Sequence, residues 1–121
     1  MVVGMDAGDH EGSVEPASFG LDLSRWNDSR TMLAFTPPRP VVFLPQVAWP
    51  GLWHVTRPPV SLWIRANGVR FEPEMAALQL AWLRVGDGGY LAVIGVDVFS
   101  ANRCNRGRLG LVVEASAVRP V

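Results

Sequence analysis

The segment with the clearest chemical character is a basic stretch near the end of the chain, Asn102-Arg103-Cys104-Asn105-Arg106-Gly107-Arg108. It connects two apolar runs, which places three arginines and two asparagines on the tip of a predicted hairpin. Guanidinium groups on such a tip can converge on phosphate oxygens. A solvated surface loop is the alternative interpretation, because any polar connection between two apolar strands faces water. The candidate residues for binding nucleic acid or another anion are Asn102, Arg103, Asn105, Arg106 and Arg108.

Aromatic residues form the second candidate site, since five tryptophans are many for 121 residues. Small β-domains present aromatic side chains for stacking bases and for holding proline-rich peptides or methylated cations. Trp49 and Trp53 lie in a segment rich in proline and glycine, so we expect them to be exposed or clamped across a sheet edge, as candidate partner-binding residues. Trp63 and Trp82 are expected in the core, because each large aromatic side chain buries much area.

Conventional catalytic residues are sparse. His54 and Cys104 are the pair of base and nucleophile to consider, with Asp97 as a residue that would orient the histidine. These residues lie in unrelated segments and belong to no nucleophile motif. The sequence therefore predicts no catalytic residues and a protein that is not an enzyme.

Carboxylate and imidazole groups occur together near the start of the chain, at Asp6, Asp9, His10 and Glu11. Their spacing matches no metal-binding motif, and a metal site needs fixed geometry that an acidic leader does not supply. We predict no metal site and no cofactor.

The charge of the chain is unevenly distributed. The net charge is zero, but residues 1–30 carry six carboxylates against two arginines, and residues 31–121 carry nine arginines against five carboxylates. The leader is thus at −4 and the body at +4. This asymmetry fits an intramolecular mask over an anion-binding surface, or a soluble tail. All 11 basic residues are arginine, which fits GC-rich codon usage and, alternatively, planar recognition of phosphate or carboxylate.

The cellular setting is constrained by a single cysteine, Cys104, which excludes an intramolecular disulfide and a structural zinc site built from thiolates. The first residues have no basic n-region or apolar run of signal length. The longest uncharged stretch, residues 40–56, is interrupted by three prolines, which disqualifies it as a spanning helix. We predict a soluble cytoplasmic protein with no membrane partner.

The last third of the chain has the pattern of antiparallel strands. Residues 78–85 and 90–99 are apolar runs on either side of the glycine-rich turn at residues 86–89, and residues 108–114 alternate after the basic stretch. Gly95 interrupts a run that is apolar on both faces, which predicts a bend or bulge of the kind that closes a strongly curved small sheet. The predicted fold is all-β: a small, strongly bent antiparallel sheet or barrel of about five strands.

The middle of the chain contains one further turn signal. Asn67-Gly68 stands between the apolar runs at residues 61–65 and 69–71, which predicts a tight hairpin joining the first two strands. Prolines crowd residues 36–59, so we expect no helix or central strand there, and at most a short edge strand at residues 41–44.

These patterns divide the chain into three parts. Residues 1–20 are predicted to be a disordered acidic leader. Residues 21–59 are predicted to be a proline-rich extended segment with short elements, and residues 60–121 a small β-barrel domain. A unit of this size folds with little reserve of buried surface, so help from a partner or a second copy is plausible.

The chain resembles small uncharacterised β-barrel proteins of high-GC actinobacteria, of the Src-homology-3 or Tudor-like type. The resemblance is carried by turns and core aromatics in four stretches: LWIRANGVRFEP at residues 62–73, LAWLR at 80–84, DGGYLAV at 87–93 and EASAVRP at 114–120. It implies a barrel fold for about half of the chain, and it assigns no role, because fold alone does not determine function.

The sequence therefore predicts a non-catalytic binding module, with nucleic acid as the leading ligand at the arginine-rich hairpin loop. The alternative is a protein-interaction or assembly protein that docks onto a partner, or onto a second copy of itself, through the proline and tryptophan segment. An enzyme is the third hypothesis.

Overall fold

The computed structural model describes residues 19–52 and 58–121. The chain forms six strands and two short helices in the order β1 Met32–Phe43, α1 Pro45–Ala48, α2 Leu62–Asn67, β2 Val69–Arg70, β3 Met75–Arg84, β4 Tyr90–Ser100, β5 Arg106–Glu114 and β6 Val118–Pro120. Single 3-10 turns occupy Pro50–Leu52 and Ala115–Ala117. Among these residues, no helix has the length and apolar content needed to cross a membrane.

All six strands belong to one antiparallel sheet, which confirms the all-β prediction. β5 pairs with β4 from Leu91 to Phe99, while β3 pairs with the first half of β4 and β2 with its last two residues. β1 joins β3 to β6, which returns to β1 after the second 3-10 turn. Within the described ranges β5 and β6 do not pair, so the sheet is open. The expectation of a closed barrel is therefore wrong.

The hairpin between β3 and β4 forms where the sequence predicted it. Val85 donates its backbone N–H to the carbonyl of Gly89 at 2.7 Å, and Gly88 donates to the carbonyl of Val85 at 2.8 Å. Gly88 adopts a φ of +102°, a conformation that glycine reaches without the penalty of a Cβ. The Asp87 carboxylate accepts the N–H of Gly89 at 3.1 Å and closes the turn.

β4 is covered on both faces, as its apolar pattern predicted. Its even-numbered residues from Ala92 to Val98 pack into the larger core, together with Val41 and Phe43 of β1; we call this side of the sheet the even face. Val93 packs on the opposite side, the odd face, against Phe19 and Leu80.

Gly95 has a different role from the predicted bend. It lies directly opposite Gly110 in an uninterrupted pairing of β4 with β5. A Cβ at Gly95 would overlap the ring of Phe19, and one at Gly110 would overlap the Phe19 carbonyl and come within 2.7 Å of Leu21 Cγ. The two glycines thus leave a slot on the odd face that the Phe19 segment fills.

β1 contradicts the expectation that the proline zone contains no central strand, and the one-turn helix α1 contradicts the expectation that it contains no helix. Residues 41–43 pair with β3 on one side and with β6 on the other, so the sheet includes part of the segment expected to wrap around it. Pro37, Pro38 and Pro40 lie before the stretch that β6 covers. The prolines are tolerated because β1 is an edge there and needs N–H donors on one side only.

The predicted Asn67-Gly68 hairpin is also wrong, because a helix occupies its first arm. Ser61 caps α2 by accepting the N–H of Ile64 on its hydroxyl at 3.2 Å. Gly68 has a φ of −75° and donates to the Ile64 carbonyl at 2.8 Å, which ends the helix. The dipeptide therefore ends a helix here, and positive φ angles are not required.

Candidate functional site

Residues 100–107, which comprise the connection between β4 and β5 and the strand residues that flank it, are here called the arginine loop. Ser100 is 3% exposed and organises it: its hydroxyl donates to Asn102 Oδ1 at 2.6 Å and accepts the N–H of Asn105 at 3.0 Å. Asn102 Oδ1 also accepts the N–H of Cys104 at 3.0 Å. Arg103 adopts a φ of 65°, in the left-handed region, while its N–H donates to the Ser100 carbonyl at 2.9 Å. These bonds hold a defined hairpin tip.

Helix α2 is fastened to this loop by Asn67. Its side-chain oxygen accepts from Asn102 Nδ2 at 3.2 Å, and its backbone carbonyl accepts from Asn105 Nδ2 at 3.3 Å. The N–H of Asn102 donates to the carbonyl of Ala66 at 2.9 Å. Asn102 and Asn105 were predicted to contact a ligand. Their side-chain amides instead form hydrogen bonds with Asn67 and so position the loop.

Two arginines of the loop gather around the ring of Phe99, at the end of β4. The guanidinium carbon of Arg103 lies 4.9 Å from the ring centroid, and that of Arg106 lies 5.9 Å from it. Arg106 is directly opposite Phe99 on β5, and Arg70 is opposite Phe99 on β2. Within the described ranges, neither Arg103 nor Arg106 forms an ion pair.

Arg108, the third arginine predicted for the site, is engaged differently. Its Nε donates to Asp97 Oδ1 at 3.1 Å, directly across the β4 and β5 pairing. Its guanidinium carbon also lies 5.4 Å from the centroid of the Phe19 ring. The charge of Arg108 is therefore balanced by a carboxylate of the same sheet. Asp97, considered earlier as the residue that would orient a histidine, forms its ion pair with Arg108.

A cleft of about 360 Å³ lies beside Phe99 and is lined by Arg70, Glu72, Glu74, Asp97 and Arg103 among others. Each carboxylate in this lining has an arginine partner. Glu74 pairs with Arg119 at 2.6 Å, Asp97 with Arg108 at 3.1 Å, and Glu72 lies 4.0 Å from Arg70. The carboxylates are thus largely compensated, and Arg103 brings an unpaired positive charge to the cleft.

Of the two tryptophans predicted to contact a partner, the structure describes Trp49. Trp49 packs in the even-face core, with ring centroids 5.5 Å from Phe43 and 5.1 Å from Phe71. Trp49 was expected to be exposed or clamped across a sheet edge; it is half-buried against the sheet, so the exposed alternative does not hold. Trp53 lies outside the described residues, as does His54. Cys104 is exposed on the arginine loop, where its backbone N–H bonds to Asn102.

Within the described residues, a group of exposed apolar side chains lies on and beside α2, and the sequence interpretation missed it. Trp63, predicted to be in the core, is 69% exposed. Large apolar side chains near it are also exposed, at Val60, Leu62, Ile64 and Val69. The N-cap serine at residue 61 was the available signal, since a helix there turns the residues after it away from the sheet.

Trp82 lies where the sequence predicted, partly buried against the even-face core.

Comparison of the chain with protein-family models, with curated proteins and with solved structures finds no match.

Proposed function

We propose that the chain is a non-catalytic binding module for nucleic acid, which it holds by the phosphate backbone at Arg103 and Arg106. The observation that supports this most directly is the pair of guanidinium groups over the Phe99 ring, 4.9 and 5.9 Å from its centroid, with no ion-pair partner within residues 19–52 and 58–121. Contact with the ring restrains both side chains, so less conformational entropy remains to be lost on binding.

An extended polyanion fits better than a single small anion because further arginines flank this pair. Arg70 is paired with Phe99 from β2, with its Nε 4.0 Å from a Glu72 carboxylate oxygen, and Arg65 lies in the last turn of α2, the helix that Asn67 fastens to the loop. Phosphate groups recur along a nucleic acid, so separated arginines can each meet one. The partnered carboxylates of the neighbouring cleft leave this surface with a positive excess.

Binding of labelled oligonucleotides tests the proposal. Single- and double-stranded DNA and RNA are titrated at low salt, where phosphate contacts are strongest. The variant Arg103→Ala with Arg106→Ala is expected to lose affinity. Arg25→Ala with Arg30→Ala removes the same charge from exposed positions remote from the loop and is the matched control. Absence of binding by the wild-type chain to all four ligands at low salt excludes the proposal.

Assembly with a protein partner or a second copy is the alternative function, and the exposed apolar residues on and beside α2 favour it. Leu62 and Trp63 are 78% and 69% exposed, and a contiguous apolar patch is a common feature of protein interfaces. Deletion of the proline segment is not a suitable test, because it would remove most of β1. Leu62→Ser with Trp63→Ser leaves the sheet intact.

Self-association predicts a wild-type mass that rises with concentration in sedimentation and a monomeric double variant. A wild-type chain that remains monomeric at high concentration rules out self-association. Either function fits the reducing cytoplasm, since the single cysteine is an exposed thiol that needs no disulfide partner.

A further inference from the structure

A second cleft of about 360 Å³ lies at the opposite end of β4 from the arginine loop. Its lining is mostly apolar and includes Leu33, Trp82, Tyr90 and Ala115. Leu33 is 58% exposed and Tyr90 is 50% exposed, so two large side chains present apolar surface to this cleft although a core is available to them. Volumes in this range are typical of small-molecule sites, which span about 300–1,000 Å³.

Strand pairing fixes the walls of this cleft. Leu33 of β1 is opposite Trp82 of β3, which is opposite Ala92 of β4, so the three residues form one row across the even face. The adjoining row pairs Arg84 with Tyr90. The rings of Trp82 and Tyr90 meet edge to face, with centroids 6.4 Å apart and planes at 77°. Because these residues lie at strand positions, the apolar walls are formed before any ligand arrives.

The charged residues that line the cleft are both arginines, Arg30 and Arg84. Arg30 has a carboxylate close by, Asp28 at 3.5 Å, and its side chain is 90% exposed. The guanidinium carbon of Arg84 lies 5.5 Å from the centroid of Tyr90, and Arg84 forms no ion pair with any residue that the structure describes. The guanidinium of Arg84 thus packs against the ring of Tyr90, and no carboxylate among the described residues balances its charge.

We infer that this cleft binds a small apolar anion, an aromatic or alkyl carboxylate or sulfonate. The apolar body lies against Leu33 and Trp82, where it removes their exposed surface from water. The anionic group of the ligand accepts hydrogen bonds from the guanidinium of Arg84, and such charged hydrogen bonds are strong and geometrically specific. Binding at this cleft involves neither Arg103 nor Arg106 and is independent of the function proposed above.

Two fluorescent probes with one ring system separate the apolar and ionic parts of the inference. Anilinonaphthalene sulfonate is the anionic probe, and phenylnaphthylamine is the same skeleton without the sulfonate. The wild-type chain is expected to bind one equivalent of the sulfonate. A charged hydrogen bond contributes at least about 1.5 kcal/mol, so Arg84→Gln is expected to weaken the sulfonate about tenfold. The same variant is expected to bind the neutral probe with unchanged affinity.

Leu33→Ser changes an exposed side chain and is expected to weaken both probes, because it removes part of the apolar wall. Trp63→Ser removes exposed apolar surface from α2 and serves as the control, with no effect on either probe. The inference is overturned if the wild-type chain binds no sulfonate, if Arg84→Gln weakens both probes equally or neither, or if Trp63→Ser abolishes binding. Oligonucleotide affinity is expected to be the same in Arg84→Gln and wild type, which keeps the two sites distinguishable.

Discussion

Gly95 and Gly110 face each other across β4 and β5; the ring of Phe19 occupies the space above Gly95, and the Phe19 carbonyl and the Leu21 side chain occupy the space above Gly110. This pairing explains why a residue so near the beginning of the described chain is only 3% exposed. It also fixes the end of the acidic leader on the odd face, under Arg108 and on the same face as Phe99. The contact of Phe19 with the two glycines thus contributes to the packing of the sheet and anchors a residue at the end of the acidic leader.

Gly95→Ala should destabilise the protein by about 1–3 kcal/mol, the usual effect of forcing extra volume into a packed site. Its Cβ would overlap the ring of Phe19. Chemical denaturation measures the change, and Gly86→Ala is the control, since a Cβ there meets nothing within 4 Å. In a Phe19→Ala background the same Gly95→Ala substitution should have a smaller effect, because the clash is gone. Strictly additive free energies would disprove the proposed contact.

Asn67→Ala should weaken oligonucleotide binding without altering its salt dependence. The substitution removes the hydrogen bond from Asn102 Nδ2 to Asn67 Oδ1 and loosens the loop, but it changes no charge. Asn67→Ala also removes the hydrogen bond that Asn67 Nδ2 donates to the Trp63 carbonyl at 3.0 Å, so the loss of stability should be about 1–3 kcal/mol, as expected for two hydrogen bonds. Titrations at several salt concentrations provide the measurement, with Asn27→Ala as an exposed control away from the loop. A changed slope would show that Asn67 does more than position the loop.

Arg103 and Arg108 should contribute unequally to binding, although both lie in the basic stretch. Arg103→Ala should lower affinity about tenfold, the loss expected when a charged hydrogen bond to phosphate disappears. Removing Arg108 together with its partner Asp97 changes no net charge and should leave affinity nearly unchanged. Equal losses in the two variants would mean that the ion pair opens to admit the ligand.

Removal of residues 1–17 should raise oligonucleotide affinity at low salt. Those residues carry four carboxylates and no arginine, and they join the body at Phe19, whose ring lies against Arg108. Gly95 and Phe99 are about 13 Å apart along β4, a distance comparable with the screening length of about 10 Å in 0.1 M salt. The gain should therefore disappear as salt rises. Neutralising the four carboxylates in the full chain should reproduce the gain in affinity; the substituted residues are Asp6, Asp9, Glu11 and Glu15. If affinity does not rise, the charge of these residues is not the cause of the gain.

The parts of the fold that the sequence predicted depend on local patterns. The alternating runs around the glycine turn became β3 and β4, with boundaries within a few residues, and the last alternating run became β5. Only residues 41–44 were predicted as a strand, and as an edge strand, because proline content alone does not reveal how long a strand is or whether it has one neighbour or two. The slot for Phe19 was missed because it depends on two glycines that only strand register brings together.

The candidate site was predicted only in part, because some of its features also depend on strand register. The loop arginines were recognisable from composition, but their separation into a pair over Phe99 and a balanced Arg108 depends on register across β4 and β5. Trp63 is exposed and not in the core because α2 replaced a hairpin arm. The aromatic cleft joins Leu33, Trp82 and Tyr90 from three strands, and no local pattern connects them.

The dependence of oligonucleotide affinity on salt tests the central proposal most directly. A plot of log affinity against log salt concentration is measured for wild type and for Arg103→Ala with Arg106→Ala. Loss of two phosphate contacts to a single strand should make the slope shallower by about 1.4, since each contact contributes about 0.7. Arg25→Ala with Arg30→Ala should keep the wild-type slope. Parallel lines for wild type and the loop variant would contradict a phosphate-binding role for Arg103 and Arg106.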